Sequence, residues 1–169
     1  MTAQRTQLKW IVSAFAGVLA LDQLTKILVR HNLEPGTPFR NDVFFRLVHY
    51  QNRGMVGGIF SDVPMVAFIA PLFALAVLIF LFRHLHRDSK WQAVAYGLIV
   101  GGALGNIIDR VLFRAVTDFL QFHFYFIPIN FPWKIFPAFN VADAAIDIGV
   151  VLLILSWNVS AKEDVSSTT

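Results

Sequence analysis

The chain has no cysteine, which removes disulfides, cysteine nucleophiles and thiolate metal sites at once. A lipid anchor attached through cysteine is excluded on the same ground. Charge is scarce as well: Asp, Glu, Lys and Arg make up 15% of the 169 residues, where a soluble domain carries about 25%. Such a chain is built for lipid rather than water, and its mean hydropathy of +0.60 agrees. The net charge of +3 and the pI near 9.5 come from scattered basic residues. No basic helix or single-sign stripe gathers them, so nucleic acid is excluded as a partner. Anionic lipid headgroups suit charge of this kind.

Apolar length is what the chain has in quantity. The runs Trp10–Val29, Met65–Phe82, Trp91–Ile108 and Val141–Trp157 stand out, the last interrupted only by Asp143 and Asp147. Crossing about 30 Å of hydrocarbon takes roughly 20 apolar residues. The runs therefore predict four transmembrane helices at about 10–29, 65–82, 91–109 and 141–157. With their connections they use nearly the whole chain, so 1–169 reads as a single membrane-embedded domain. Arg5 and Lys9 imitate the start of a signal peptide, but the run behind them is too long and holds Asp22 and Lys26; it reads as a retained first span.

Four spans place both termini on the same side as the short basic loop 83–90, which carries Arg83, Arg87 and Lys90. The positive-inside rule puts that side in the cytoplasm. The two long connections, 30–63 and 110–140, then lie outside. Val43–Tyr50 is rich in aromatic and β-branched residues and predicts a strand. The expected fold is thus an all-α integral membrane protein with a small extracytoplasmic β-strand region and an aromatic-rich interfacial loop. Gly54, Gly57 and Gly58 predict a turn or a close backbone approach, and Pro71 a kink in the second span. Gly97, Gly101 and Gly105 recur every fourth residue with Gly102 beside them, a spacing that lets helix backbones approach closely in lipid.

Acids beside a bilayer are costly, so those present bear examination. Asp118 stands in V-T-D-F at 116–119 and Asp143 in F-N-V-A-D at 139–143, and the topology puts both on one rim of the bundle. Two carboxylates close in space must share a proton, which is what water activation by an acid pair requires. The competing reading makes Asp143 part of a capping box with Asn140 and Asp118 an ordinary loop carboxylate. Asp22 and Lys26, at i and i+4, predict an ion pair on one helix face. Asn106, Asp109 and Arg110 share a face at the outer end of span three, either beside the acids or as a helix end closed by an Asp–Arg pair. Asn52 and Asn140 suit a hydrogen bond to a substrate chain or a turn. The run Phe119–Phe139 reads as a lid over substrate or as an aromatic belt. His49 and His123 lack metal-ligand spacing, so no metal is expected. A different class, a small proton- or cation-coupled transporter, would use Asp22, Asp118, Asp143 and Asp147 as a relay, but a relay needs acids at several depths.

The segments L-D-Q-L-T-K at 21–26, Q-N-R-G at 51–54, G-G-A-L-G-N-I-I-D-R at 101–110, V-T-D-F at 116–119 and F-N-V-A-D at 139–143 together carry a resemblance. In this order the chain resembles the lipoprotein signal peptidase family (signal peptidase II), the membrane aspartyl endopeptidases of bacteria. The resemblance implies cleavage of prolipoproteins immediately before a diacylglyceryl-modified cysteine, with Asp118 and Asp143 catalytic. It implies substrate-binding or dyad-support roles for Asn52, Gly54, Asn106, Asp109, Arg110 and Asn140, and a supporting role for Asp22 and Lys26. No cofactor is implied, and the location is the bacterial inner membrane with the active site outside. There are two departures from the family pattern. Met55-Val56-Gly57-Gly58-Ile59-Phe60 lacks the aromatic ring expected at Gly57, and Asp147 adds a second acid one turn from Asp143.

Overall fold

Three long helices and a three-stranded antiparallel sheet make up the described part of the computed structural model: residues 2–36, 38, 40–41, 44–54, 89–126 and 134–166, with isolated positions between Met65 and Phe80. In chain order they are α1 (Thr2–Asn32), β1 (Arg40–Asn41), β2 (Phe45–Asn52), α2 (Lys90–Phe113), β3 (Val116–Phe122) and α3 (Val141–Ser166). Among the described residues, Thr6–Asn32 and Lys90–Phe113 are long and apolar enough to cross a membrane. The span expected at 65–82, apart from those isolated positions, lies outside the described residues, as do Pro71, most of loop 83–90 and the 55–60 segment.

The helices outrun the apolar stretches that predicted them. The first was expected to end at 29 and the third at 109, yet α1 continues to Asn32 and α2 to Phe113. Hydropathy reports the lipid-facing length, whereas each helix goes on until its end is satisfied. Arg30 and His31 close the last turn of α1 and Arg110 that of α2, where cations meet the negative end of the helix dipole. Residues 110–113, expected in a connection, are therefore helical.

Glycines on adjacent sides of α2 let it lie between α1 and α3. A Cβ at Gly97 would stand 2.5 Å from the Ile11 carbonyl oxygen of α1, and one at Gly102 would stand 2.5 Å from the Ala142 carbonyl oxygen of α3. In lipid, where apolar burial no longer drives association, such close packing is what holds helices together.

The sheet runs β1-β2-β3. Leu47 pairs with Leu120 and Tyr50 with Asp118, so Val48 and His49 together face the single residue Phe119. This is a bulge, and it explains why two consecutive residues of β2 are buried. The strand expected at Val43–Tyr50 is found at Phe45–Asn52. β3 is a correction: its residues were assigned to a long connection, with Asp118 read in one alternative as a loop carboxylate. Val116, Thr117, Phe119 and Phe122 are good strand formers. A two-residue turn, Arg114–Ala115, joins α2 to β3, and Arg114 takes the left-handed conformation at φ 57°, a strained state that costs about 1–3 kcal/mol. Residues 134–139 then run back along β3, with the Phe139 carbonyl accepting from Phe119 N at 3.0 Å and Leu120 N at 2.8 Å. This return leg delivers Asn140 and the start of α3 to the side of Asp118.

Candidate active site

The C-terminal ends of α1 and α2, the N-terminal end of α3 and the start of β3 meet around a polar interior. Asp22, Lys26, Asp109 and Asn140 are each 0% exposed. Charges so placed are tolerable only if paired and hydrogen-bonded. Lys26 Nζ lies 2.8 Å from Asp22 Oδ2 and donates to Asn106 Oδ1 at 2.8 Å. It is also 3.8 Å from Asp109 Oδ2. Asp22 does more than balance Lys26. Its Oδ1 accepts the Ala142 backbone N–H at 3.0 Å, satisfying a first-turn donor of α3 from a residue 120 positions away. A Cβ at Gly105 would fall 2.5 Å from Asp22 Oδ2, so only glycine leaves room for this arrangement.

Asn140 and Asp143 form the capping box the sequence offered as one reading. Asp143 N donates to Asn140 Oδ1 at 3.0 Å, and Asn140 N donates back to Asp143 Oδ2 at 3.1 Å. The amide nitrogen of Asn140 remains free of that box and turns the other way. It donates to Asp118 Oδ1 at 2.8 Å and to Asn106 Oδ1 at 3.1 Å. Asn106 in turn donates to Asp143 Oδ1 at 2.8 Å. One residue, Asn140, thus touches both carboxylates while it closes the helix end.

Asp118 is 3% exposed. Asn52, diagonal to it across the β2–β3 pair, donates to its Oδ2 at 3.0 Å, while Asn52 Oδ1 accepts from Gly54 N at 3.0 Å and closes a turn. Burial pushes the Asp118 carboxyl up to about 7, and the negative charge of Asp143 adds to the rise; the Asn52 and Asn140 amides and the Lys26 charge pull it back only in part. A raised carboxyl favours its protonated form in the folded protein. Its stabilising contribution is present at low pH and is lost as pH climbs through about 7. Two carboxylates in one amide network, one of them titrating near neutrality, can supply an acid and a base together.

Asp109 does not form the Asp–Arg110 helix end that was one of the two readings of this face. Its carboxylate meets Arg30 at 3.2 Å and accepts Thr117 N at 2.9 Å. Arg110 instead donates to the carbonyls of Gly54 at 3.1 Å and Asn106 at 3.4 Å, fastening the turn after β2 to α2. Asp147 is exposed on α3 and makes no hydrogen bond or ion pair with the described residues. His49 donates through Nδ1 to the Leu33 carbonyl at 2.8 Å, and His123 pairs with Gln121 at 3.0 Å. Burial, with the nearby Arg46 charge, holds His123 below the usual imidazole range. Among the described residues no group of three or more His, Cys, Asp or Glu is arranged to hold a metal. The aromatic run packs on itself: Phe122 lies 5.1 Å from Phe44 and 5.9 Å from Phe139, while Phe44, Phe126 and Phe136 keep exposed faces. Sequence reasoning missed Arg30 and Thr117; an arginine one turn after Lys26 on the Asp22 face was the available signal.

A helical bundle whose polar interior ends in two carboxylates bridged by Asn140 fits a membrane enzyme of the aspartic type. Two solved structures, each described as a bacterial membrane enzyme determined by the in meso method, are similar to it. One, at 2.3 Å resolution, is 29% identical over 90% of each chain with a TM-score of 0.76. The other, at 1.9 Å, is 30% identical over 87% of this chain and 91% of that one, with a TM-score of 0.71. The family model described as signal peptidase (SPase) II matches residues 14–159. The chain belongs to that family, the lipoprotein signal peptidases, which are aspartic proteases acting in the membrane. The transporter reading is not favoured.

Proposed function

We propose that Asp118 and Asp143 are the catalytic pair of this lipoprotein signal peptidase and that it cuts immediately before a diacylglyceryl-modified cysteine. The observation that carries this reading is Asn140, whose amide nitrogen bonds Asp118 while its backbone N–H bonds Asp143. Asp143, in the first turn of α3 where the helix dipole favours negative charge, is the ionised member. Asp118, raised to about 7, keeps the shared proton. Asp143 takes a proton from water as its oxygen attacks the scissile carbonyl carbon, and Asp118 hydrogen-bonds the carbonyl oxygen as negative charge develops there. The tetrahedral intermediate collapses when the cysteine amine leaves with a proton from the pair. The carboxyl product stays on the signal peptide.

In this reading Asn52, Asn106 and Asn140 orient the dyad, since their side chains already bond one another or the two acids. Gly54, Asp109 and Arg110 fasten the surrounding segments, and Asp22 with Lys26 supports them from α1. We further propose one domain over 1–169 with four spans, the second at 65–82, both termini in the cytoplasm, and the dyad on the outer side of the bacterial plasma membrane. Substrate enters laterally, its acyl chains remaining in lipid. No metal or cofactor takes part. Incubating purified protein with a diacylglyceryl-modified peptide and its unlipidated counterpart tests the reading: the lipidated peptide alone should be cut, and equal cleavage of both would defeat the lipid requirement.

A further inference from the structure

Arg30 has no part in the steps above, yet it lies against two of the segments that carry them. Its Nη1 donates to Asp109 Oδ1 at 3.2 Å, to Oδ2 at 3.3 Å and to Thr117 Oγ1 at 2.9 Å. The guanidinium carbon sits 4.4 Å from the centre of the Phe113 ring, which fixes its height on α2. Thr117 immediately precedes Asp118, and its backbone N–H is bonded to the same Asp109 carboxylate at 2.9 Å. Arg30 therefore clamps the start of β3 to α1 and α2, one residue from the acid.

The charges of the interior strengthen this assignment. Asp22 and Asp109 are fully buried, and among the described residues the cations that form ion pairs with them are Lys26 and Arg30. The set is neutral only with Arg30 present. Without it Lys26 must serve two carboxylates, Asp22 at 2.8 Å and Asp109 at 3.8 Å, and a buried acid without a partner is strongly unfavourable. Lys26 would be drawn toward Asp109 and away from Asn106, whose amide holds Asp143.

We propose that Arg30 is a positioning residue for the dyad, engaging Asp109 and Thr117 so that Lys26 stays committed to Asp22 and Asn106. The inference rests on the dyad reading. The groups around the dyad are Asp22 and Lys26 from α1, Asn52 from β2, Asn106, Asp109 and Arg110 from α2, and Asn140 ahead of α3. Of these, Lys26 draws the Asp118 carboxyl down, while Arg110, whose charge also faces Asp118, Asp143 and Asp109, is held on the Gly54 and Asn106 carbonyls. Loss of the Arg30 charge leaves that of Asp109 less balanced, with Lys26 shared between two acids, and so raises the pH at which the pair loses its proton.

The test compares whole, membrane-inserted Arg30→Gln and Arg30→Lys proteins with the parent, cleaving a diacylglyceryl-modified peptide across the pH profile. Arg30→Gln should lower kcat on the order of 10- to 100-fold, the scale of a 1 Å misplacement, with KM little changed. Its bell-shaped profile should move to higher pH by on the order of half a unit, the scale of one unit of charge lost beside a partly screened site. Because Nη1 alone makes all three polar contacts, the ammonium of Arg30→Lys should restore the parent profile and most of kcat. Arg30→Met, which keeps an apolar stem against Phe113, is the second neutral variant should Arg30→Gln not fold. A neutral variant that loses activity on the parent pH profile, as a purely structural residue would, overturns the proposal. So does an Arg30→Lys profile displaced like that of the neutral variants. Asp118→Asn run in parallel separates the two readings. Cleavage by Asp118→Asn defeats the dyad itself, whereas an inactive Asp118→Asn beside an unmoved neutral-variant profile defeats only the role of Arg30.

Discussion

On one face of α1, Asp22 and Lys26 are fully buried and paired at 2.8 Å, whereas on the other Leu21, Leu24, Ile27 and Leu28 are each more than half exposed. A soluble helix would have the reverse arrangement, apolar inward and polar outward. With lipid as solvent the outward leucines need no partner, and the inner face is free to hold groups that must bond one another. Helix association then rests on close backbone approach and on polar contacts, because burying apolar surface gains nothing against hydrocarbon. Asp22 joins these two functions: it balances Lys26, caps α3 at Ala142 and fills the space left by Gly105.

If the inner face is a single network, removing its connector should cost most. Asn140→Ala loses the bond to Asp118, the bond to Asn106 and the cap on Asp143 N. Peptide-cleavage kinetics should report a fall in kcat on the order of 100-fold, and thermal unfolding a loss of about 1 kcal/mol from the missing cap. An unchanged kcat would separate helix capping from catalysis. A smaller effect should distinguish the two faces by size alone. Gly105→Ala puts a methyl group against Asp22 and should destabilise by about 1–3 kcal/mol. Gly17→Ala, where a Cβ meets nothing within 4 Å, should be neutral or stabilise by up to about 1 kcal/mol through helix propensity. Unfolding midpoints of the two variants in the same detergent give the comparison, and equal midpoints would break it.

The sequence made much of the helical frame legible because lipid imposes a strong local pattern: the runs beginning at Trp10, Trp91 and Val141 each fall inside a helix. Spacings within one helix were equally readable, as with Asp22 and Lys26. The capping pattern at Asn140 and Asp143 could be read too, but it looked like an alternative to pairing of the acids. The Asn140 side chain caps Asp143 N through its oxygen and bonds Asp118 through its nitrogen, so the cap leaves a joint role for the acids open. Contacts between distant segments left no periodic signal. Arg30 reaches Asp109 across 79 positions and Thr117 across 87, and nothing near Arg30 in the chain announces either partner. β3 was missed for another reason: the acid in V-T-D-F fitted a loop, whereas in the fold the Asn52 and Asn140 amides bonded to Asp118 make a buried strand position tolerable for it.

The most direct measurement is cleavage of a diacylglyceryl-modified peptide by Asp118→Asn and by Asp143→Asn, each first confirmed as inserted and folded. Loss of the acid–base pair should reduce the rate by about 10²–10⁴-fold in both variants. Near-parent cleavage by either one would contradict a mechanism in which the two carboxylates act on one water.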